Sequence, residues 1–175
     1  MITGDVKKWK SDFIRRNRWN DTKQRRVQEL EAAVVLRWLL DFKLDQYNIL
    51  EVGCGNGHFG SIVATGLLNK GKKFSYHFSD LLPECVELAK ENTKDISGLA
   101  DISYSALDLF DFDNNQANSL GPYDVVLSTG FVSAATYKDA VPLVSNLLKP
   151  GGVLIADFVN HLSPVIFLSQ PILMV

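Results

Sequence analysis

Residues 49–60 read Ile49-Leu50-Glu51-Val52-Gly53-Cys54-Gly55-Asn56-Gly57-His58-Phe59-Gly60. A short apolar run, Asn48–Val52, stops at Gly53, which predicts a buried strand closed by a turn. Gly53, Gly55 and Gly57 accept positive φ and place no side chain in a ligand's path. Three alternate glycines exceed what a strand-to-helix turn needs, so bare backbone is expected to lie against a nucleotide-like ligand. Gly55-Asn56-Gly57-His58-Phe59-Gly60 also fits Gly-x-Gly-x-x-Gly, the dinucleotide signature, with Asp80 twenty residues past Gly60. In that register Gly55 falls late, because Gly53 already closes the strand.

The chain keeps a regular rhythm on both sides of this turn. Upstream, Trp9, Phe13 and Arg16 stand at helical spacing within residues 5–19. Val27, Leu30, Val34, Val35, Trp38 and Leu39 then follow the i, i+3, i+4, i+7 pattern of an amphipathic helix. Downstream, helices are predicted over Phe59–Leu68 and Glu84–Asn92, the second with Pro83 in its first turn. Strands are predicted over Phe74–Ser79, Ile102–Leu107, Tyr123–Ser128 and Val153–Phe158. Ala140, Val141, Val144, Leu147 and Leu148 form a helix face, and Lys149-Pro150-Gly151-Gly152 reads as its stop. Strands alternating with helices imply an α/β fold, a doubly wound, mostly parallel sheet with helices on both faces. The organisation expected is a helical arm over 1–46, a core over 47–158 and a short apolar tail over 159–175.

Composition narrows the partners. The net charge is -2, which argues against a general nucleic-acid binder. The charge is uneven: residues 1–31 hold nine Lys/Arg against five Asp/Glu, and the remainder nine against fifteen. A basic arm is most simply a solvated helix face. Cys54 and Cys85 have neither metal-type spacing nor a disulfide framework, which fits a reducing cytoplasm. Residues 1–5 lack the apolar core of a secretory signal. The tail is too short to span a bilayer and is interrupted by Pro164 and Pro171, so no membrane partner is expected.

In open parallel sheets, ligands bind at the carboxyl ends of strands where the strand order reverses. Asp80 ends the second strand, where a carboxylate can accept both hydroxyls of a ribose. Its charge would repel a 2′-phosphate. Asp108 ends the third strand, where it can accept from an adenine amine while the amide of Leu109 donates to the ring. Each acid alone reads as a cap or a solvated loop residue; with the glycine turn, both fit one adenosine. Glu51 is a buried acid that needs partners, either the amides of the glycine loop or the ammonium of a ligand.

These stretches together resemble the class I S-adenosylmethionine-dependent methyltransferases. Ile49–Gly57 resembles the family's first motif, Asp80 its ribose-binding acid, Leu107-Asp108-Leu109 its adenine-binding segment. Tyr123–Gly130 and Leu147–Leu154 resemble its fourth strand and the approach to its fifth. The resemblance covers residues 47–158 in order and implies S-adenosyl-L-methionine as cofactor, without a metal. It implies methyl transfer to a small-molecule or protein acceptor, and a cofactor site of Glu51, Gly53, Cys54, Gly55, Asn56, Gly57, Asp80, Leu81, Asp108, Leu109 and Ser128. Cys54 is expected to pack rather than attack.

The chain also departs from that family. The loop after the fourth strand lacks Asn-Pro-Pro-Tyr, and neither an acid nor a His stands near Ser133-Ala134. His161 is the candidate base by position, with His58 and His77 behind it. Phe131, Trp9, Trp19 and Tyr137 read as core or pocket residues. Only 17 residues follow Phe158, too few for a helix and the family's last two strands. The expectation is a fragment, a variant, or a sheet completed by a partner, with an exposed edge that favours a homodimer. Two other readings stay open: a non-catalytic methyltransferase-like module, and an NAD-dependent oxidoreductase using the Gly55–Gly60 register.

Overall fold

The computed structural model describes residues 22–42, 44–109, 120–129 and 137–156. In chain order these hold helix α1 (Thr22–Asp41), strand β1 (Gln46–Val52), helix α2 (His58–Asn69), strand β2 (Lys73–Asp80), helix α3 (Pro83–Ser97), strand β3 (Asp101–Ala106), strand β4 (Tyr123–Ser128), helix α4 (Tyr137–Ser145) and strand β5 (Leu148–Ala156). The strands form one parallel sheet in the order β3-β2-β1-β4-β5. Strand order reverses beside β1, between β2 and β4. The predicted topological switch point therefore lies where the glycine turn leaves the sheet.

Strand β1 carries apolar residues on both of its faces. Tyr47 and Ile49 join a cluster with Phe59, Val63 and Leu67 of α2 and with Val35 and Leu39 of α1. Leu50 and Val52 point the other way, into a cluster with Ala140 and Val144 of α4, Val126, and Leu154 of β5. A strand buried on both faces has no polar side to show. At the β3 edge the alternation returns: Ile102 and Tyr104 pack against the first cluster, while Asp101 and Ser103 are exposed.

Two expectations change. The apolar stripe predicted on α1 does not all face inward. Val35 and Leu39 are buried, but Val27, Leu30 and Val34 are 46%, 64% and 46% exposed. Ala32 is buried in their place, so the buried stripe is rotated from the one the large apolar residues trace. The second change is at Lys149-Pro150-Gly151-Gly152. The helix already ends at Ser145, and β5 starts at Leu148, paired with Tyr123. The register then breaks, and pairing resumes with Val153 opposite Val125. The Pro-Gly-Gly residues bulge out of the ladder rather than stop a helix. Gly151 holds φ 78°, and a Cβ on Gly152 would sit 3.0 Å from the Tyr123 carbonyl oxygen. Phe158, the tail with His161, residues 5–19 with Trp9 and Trp19, for which a helix is predicted, and residues 130–136 with Phe131 lie outside the described residues.

Candidate functional site

The three glycines of the turn all have positive φ: 76° at Gly53, 57° at Gly55 and 75° at Gly57. The turn is held from inside. The amides of Gly53 and Cys54 donate to the Ser79 carbonyl at 2.8 and 2.9 Å, and Gly57 N donates to the Cys54 carbonyl at 2.9 Å. Gly55 N donates to Asp80 Oδ2 at 2.9 Å, and His58 N to Asn56 Oδ1 at 3.1 Å. Five of the six amides from 53 to 58 are thus already engaged. A pyrophosphate cradle needs such amides free and aimed at the anion. The turn suits a ligand that brings no phosphate to it, which removes the main support for the dinucleotide register.

Each glycine has its own reason. A Cβ on Gly57 would lie 2.9 Å from the Ala89 Cβ of α3, so the third glycine serves helix packing rather than ligand clearance. Gly60, the last glycine of the dinucleotide pattern, faces Glu51 Oε2, the Phe78 ring and the Tyr76 hydroxyl, where a Cβ would clash. Close approach of α2 to β1 and β2 explains that glycine without a cofactor.

Asp80 is 5% exposed and stands at the end of β2. Its Oδ2 accepts from Gly55 and its Oδ1 from Leu82 N, at 2.9 Å each. Burial pushes its carboxyl up from the ordinary value of 3.8, and the amides of Leu82 and Gly55 and the Cys85 side chain partly offset that. The cap reading of Asp80 is therefore partly right: the side chain ties the turn to the start of α3. A carboxylate has about four acceptor sites, and the Gly55 and Leu82 amides occupy one on each oxygen. Leu81 beside it is half-buried. At the end of β3, Asp108 is exposed and Leu109 is buried in the second cluster. At the end of β4, Ser128 is fully buried, and its Oγ has no hydrogen-bond partner.

Glu51 is 1% exposed, and its Oε2 accepts a 2.8 Å hydrogen bond from the Tyr76 hydroxyl of β2. Tyr76, rather than a loop amide, is the donor found on its side chain. Burial pushes the carboxyl up to about 8; the Tyr76 hydrogen bond opposes this and the nearby Asp80 charge adds to it. Burial beneath the glycine turn thus favours the neutral form of Glu51. Cys54, 5% exposed, has its thiol pushed well up by burial and then by Glu51 and Asp80. It stays a thiol, in line with packing.

Sequence reasoning missed Asn92 and Tyr76. Asn92 Nδ2 of α3 donates to the Asn56 carbonyl at 2.9 Å and steadies the middle of the turn. No local pattern points from residue 92 to residue 56. His58, at the start of α2, has Nε2 3.9 Å from Glu29 of α1 and is pushed down, chiefly by burial. His77 is lodged between the Tyr123 hydroxyl at 2.7 Å and Ser105 Oγ at 2.8 Å, which is a structural place in the sheet. Among the described residues no His, Cys, Asp and Glu cluster can hold a metal, and no helix is long and apolar enough to cross a membrane.

A family model described as a methyltransferase domain matches residues 50–154. Similar proteins include the non-reducing polyketide synthase nvfA of Aspergillus novofumigatus, 31% identical over 126 residues, covering 71% of this chain and 5% of that protein. The ribosomal protein L11 methyltransferase of Pasteurella multocida is 31% identical over 123 residues, covering 70% of this chain and 37% of that one. Among solved structures, magnesium protoporphyrin IX methyltransferase from Synechocystis, with bound S-adenosylhomocysteine, superposes with a TM-score of 0.64 at 19% identity. It covers 91% of this chain and 73% of that chain. The trans-methyltransferase CalH, also bound to S-adenosylhomocysteine, gives 0.61 at 24%, covering 80% and 40%. The chain spans about a twentieth of the polyketide synthase and just over a third of the L11 methyltransferase.

Proposed function

Because the chain belongs to the class I methyltransferase family, we propose that its glycine turn and strand ends bind S-adenosylmethionine and direct its methyl group to an acceptor. The single observation that carries this is the turn itself: positive φ at three glycines with amides satisfied from within, next to the buried carboxyl of Asp80 at the end of β2. Such a site takes a neutral nucleoside edge on bare backbone and a ribose on a carboxylate.

When bound, S-adenosylmethionine supplies an electrophilic methyl on a sulfonium. The residues' part is placement and exclusion of water. Asp80 accepts the ribose hydroxyls while its amide partners fix its rotamer. Asp108 and the Leu109 amide read the adenine edge. Ser128, buried at the end of β4, closes the sheet beside them. The acceptor is a small molecule or a protein side chain; the similar proteins include both a polyketide synthase and an enzyme named for a ribosomal protein.

Calorimetric titration with S-adenosylhomocysteine and, separately, with NAD tests the reading. Saturable binding of the sulfur nucleoside and none of NAD is expected. Tight NAD binding with no response to S-adenosylhomocysteine would reverse it.

A further inference from the structure

Three of the five large apolar side chains exposed among the described residues stand on one helix: Val27, Leu30 and Val34 of α1. They recur at helical intervals, so they share one side of it. Lys23 and Arg37 continue that row at either end, and Arg26 lies beside it; all three are exposed. Asp41 is the acid on the same row. Neither Arg26 nor Arg37 has an ion-pair partner among the described residues. The row cannot turn inward. The opposite side of α1 is buried at Ala32, Val35 and Leu39, and Leu36 packs on Gly66 of α2 so closely that a Cβ there would sit 2.2 Å from Leu36 Cδ2. A contiguous aliphatic row left outside such a core is covered only by something that docks on it.

Charge separates the occupants. A second copy would bring the same basic row. In parallel pairing Lys23 and Arg37 would each meet their own twin, and in antiparallel pairing each would meet the other. Residues 5–19 hold six Lys/Arg against two Asp, so that arm is repelled as well. A flat anionic membrane would also meet Glu29 and Glu31, which flank the row on its two sides; a narrow helix meets the row alone. We propose that this face docks an amphipathic helix of a partner protein whose apolar stripe is flanked by Asp or Glu. Its apolar residues lie along Val27, Leu30 and Val34, and its acids pair with Arg26 and Arg37 at the rim. The rim charges set partner choice and encounter rate, and the apolar row sets how long the complex lasts. The face is on the outside of α1, away from the strand ends, and owes nothing to the cofactor.

The test is fluorescence anisotropy of the full chain with a labelled, stapled helical peptide bearing a Leu stripe flanked by Glu. Saturable binding with a Kd below about 100 µM is expected, weakening as salt rises. The same peptide with Lys in place of Glu should bind at least about tenfold more weakly. The double variant Arg26→Glu, Arg37→Glu should exchange the two preferences. Leu30→Ser should weaken the Glu peptide at least about tenfold, and both variants should melt close to the wild type, because the substituted side chains are exposed. No saturable binding of the Glu peptide overturns the proposal, since a face already taken by the chain's own arm gives that result. Equal binding of the Glu and Lys peptides overturns it too. A dimer in sedimentation that Leu30→Ser dissolves would give the face to a second copy, and co-sedimentation with phosphatidylglycerol vesicles that Leu30→Ser removes would give it to a membrane; either overturns the proposal.

Discussion

Asp80 and Gly57 show how much a single residue carries here. In the proposed function Asp80 serves the fold and the ligand with the same two oxygens, which already bridge Gly55 and Leu82. Asp80→Asn keeps the volume, removes the charge and replaces one acceptor with a donor. S-adenosylhomocysteine should then bind at least about tenfold more weakly by calorimetry; unchanged affinity would mean the ribose is held elsewhere. Gly57→Ala combines a left-handed backbone with a Cβ pressed on Ala89. It should lower stability by about 2–4 kcal/mol in urea unfolding. The positions of Asp80 and the glycines were legible because each closes a strand. The role of Gly57 was not, because Ala89 is thirty-two residues away and only α3 brings it near.

Strand β5 illustrates what an element's neighbours decide. Pro150-Gly151-Gly152 carries the residues of a helix stop, yet it forms a bulge because Leu148 already pairs with Tyr123. Lys149 Nζ also reaches Asp124 Oδ1 at 2.8 Å, while Asp124 Oδ2 accepts from Asn48 N, tying β5, β4 and β1 together. Gly151 and Gly152 differ sharply in their surroundings. A Cβ on Gly151 meets nothing within 4 Å, whereas one on Gly152 lies 2.9 Å from the Lys149 carbonyl oxygen and 3.0 Å from that of Tyr123. Gly152→Ala should therefore cost about 1–3 kcal/mol. Gly151→Asn, whose side chain tolerates positive φ, should cost much less. Equal urea midpoints for the two variants would refute the bulge geometry. Helix α1 tells a similar story: its large apolar residues trace one stripe, but contact with α2 selects Ala32, Val35 and Leu39.

At the scale of the whole molecule, pH and ligand act through linkage. Glu51 is raised from its ordinary value of 4.5 to about 8. A raised acid binds its proton more tightly in the folded state, so its contribution is complete below pH 4.5 and is lost as pH rises through about 8. His77 is lowered from 6.5 by burial. Its contribution is present above 6.5 and is lost as pH falls through the depressed folded value. Unfolding free energies of the wild type measured from pH 4 to 9 should thus fall, relative to Glu51→Gln, over the interval from 4.5 to 8. A flat difference would mean that Glu51 is ionised in the native protein. Saturating S-adenosylhomocysteine, at a hundred times its Kd, should stabilise the fold by about 2.7 kcal/mol. That should raise the melting temperature by about 5–10 °C in differential scanning fluorimetry.

The sequence by itself determined the order of strands and helices, the parallel sheet, and the placing of Gly53, Gly55, Gly57 and Asp80 at strand ends. Apolar periodicity and backbone freedom are local properties, and both are written in runs of a few residues. Only the tertiary structure decided that Tyr76 meets Glu51, that Asn92 holds Asn56, that Ala89 requires Gly57, and that the turn's amides are spent internally. Apart from the two short links within the turn, Gly57 to Cys54 and His58 to Asn56, these pairings join residues 25 to 36 positions apart across β2 and α3. A buried acid's proton, like a helix's buried stripe, depends on what packs against it, and no stretch of neighbouring residues specifies that.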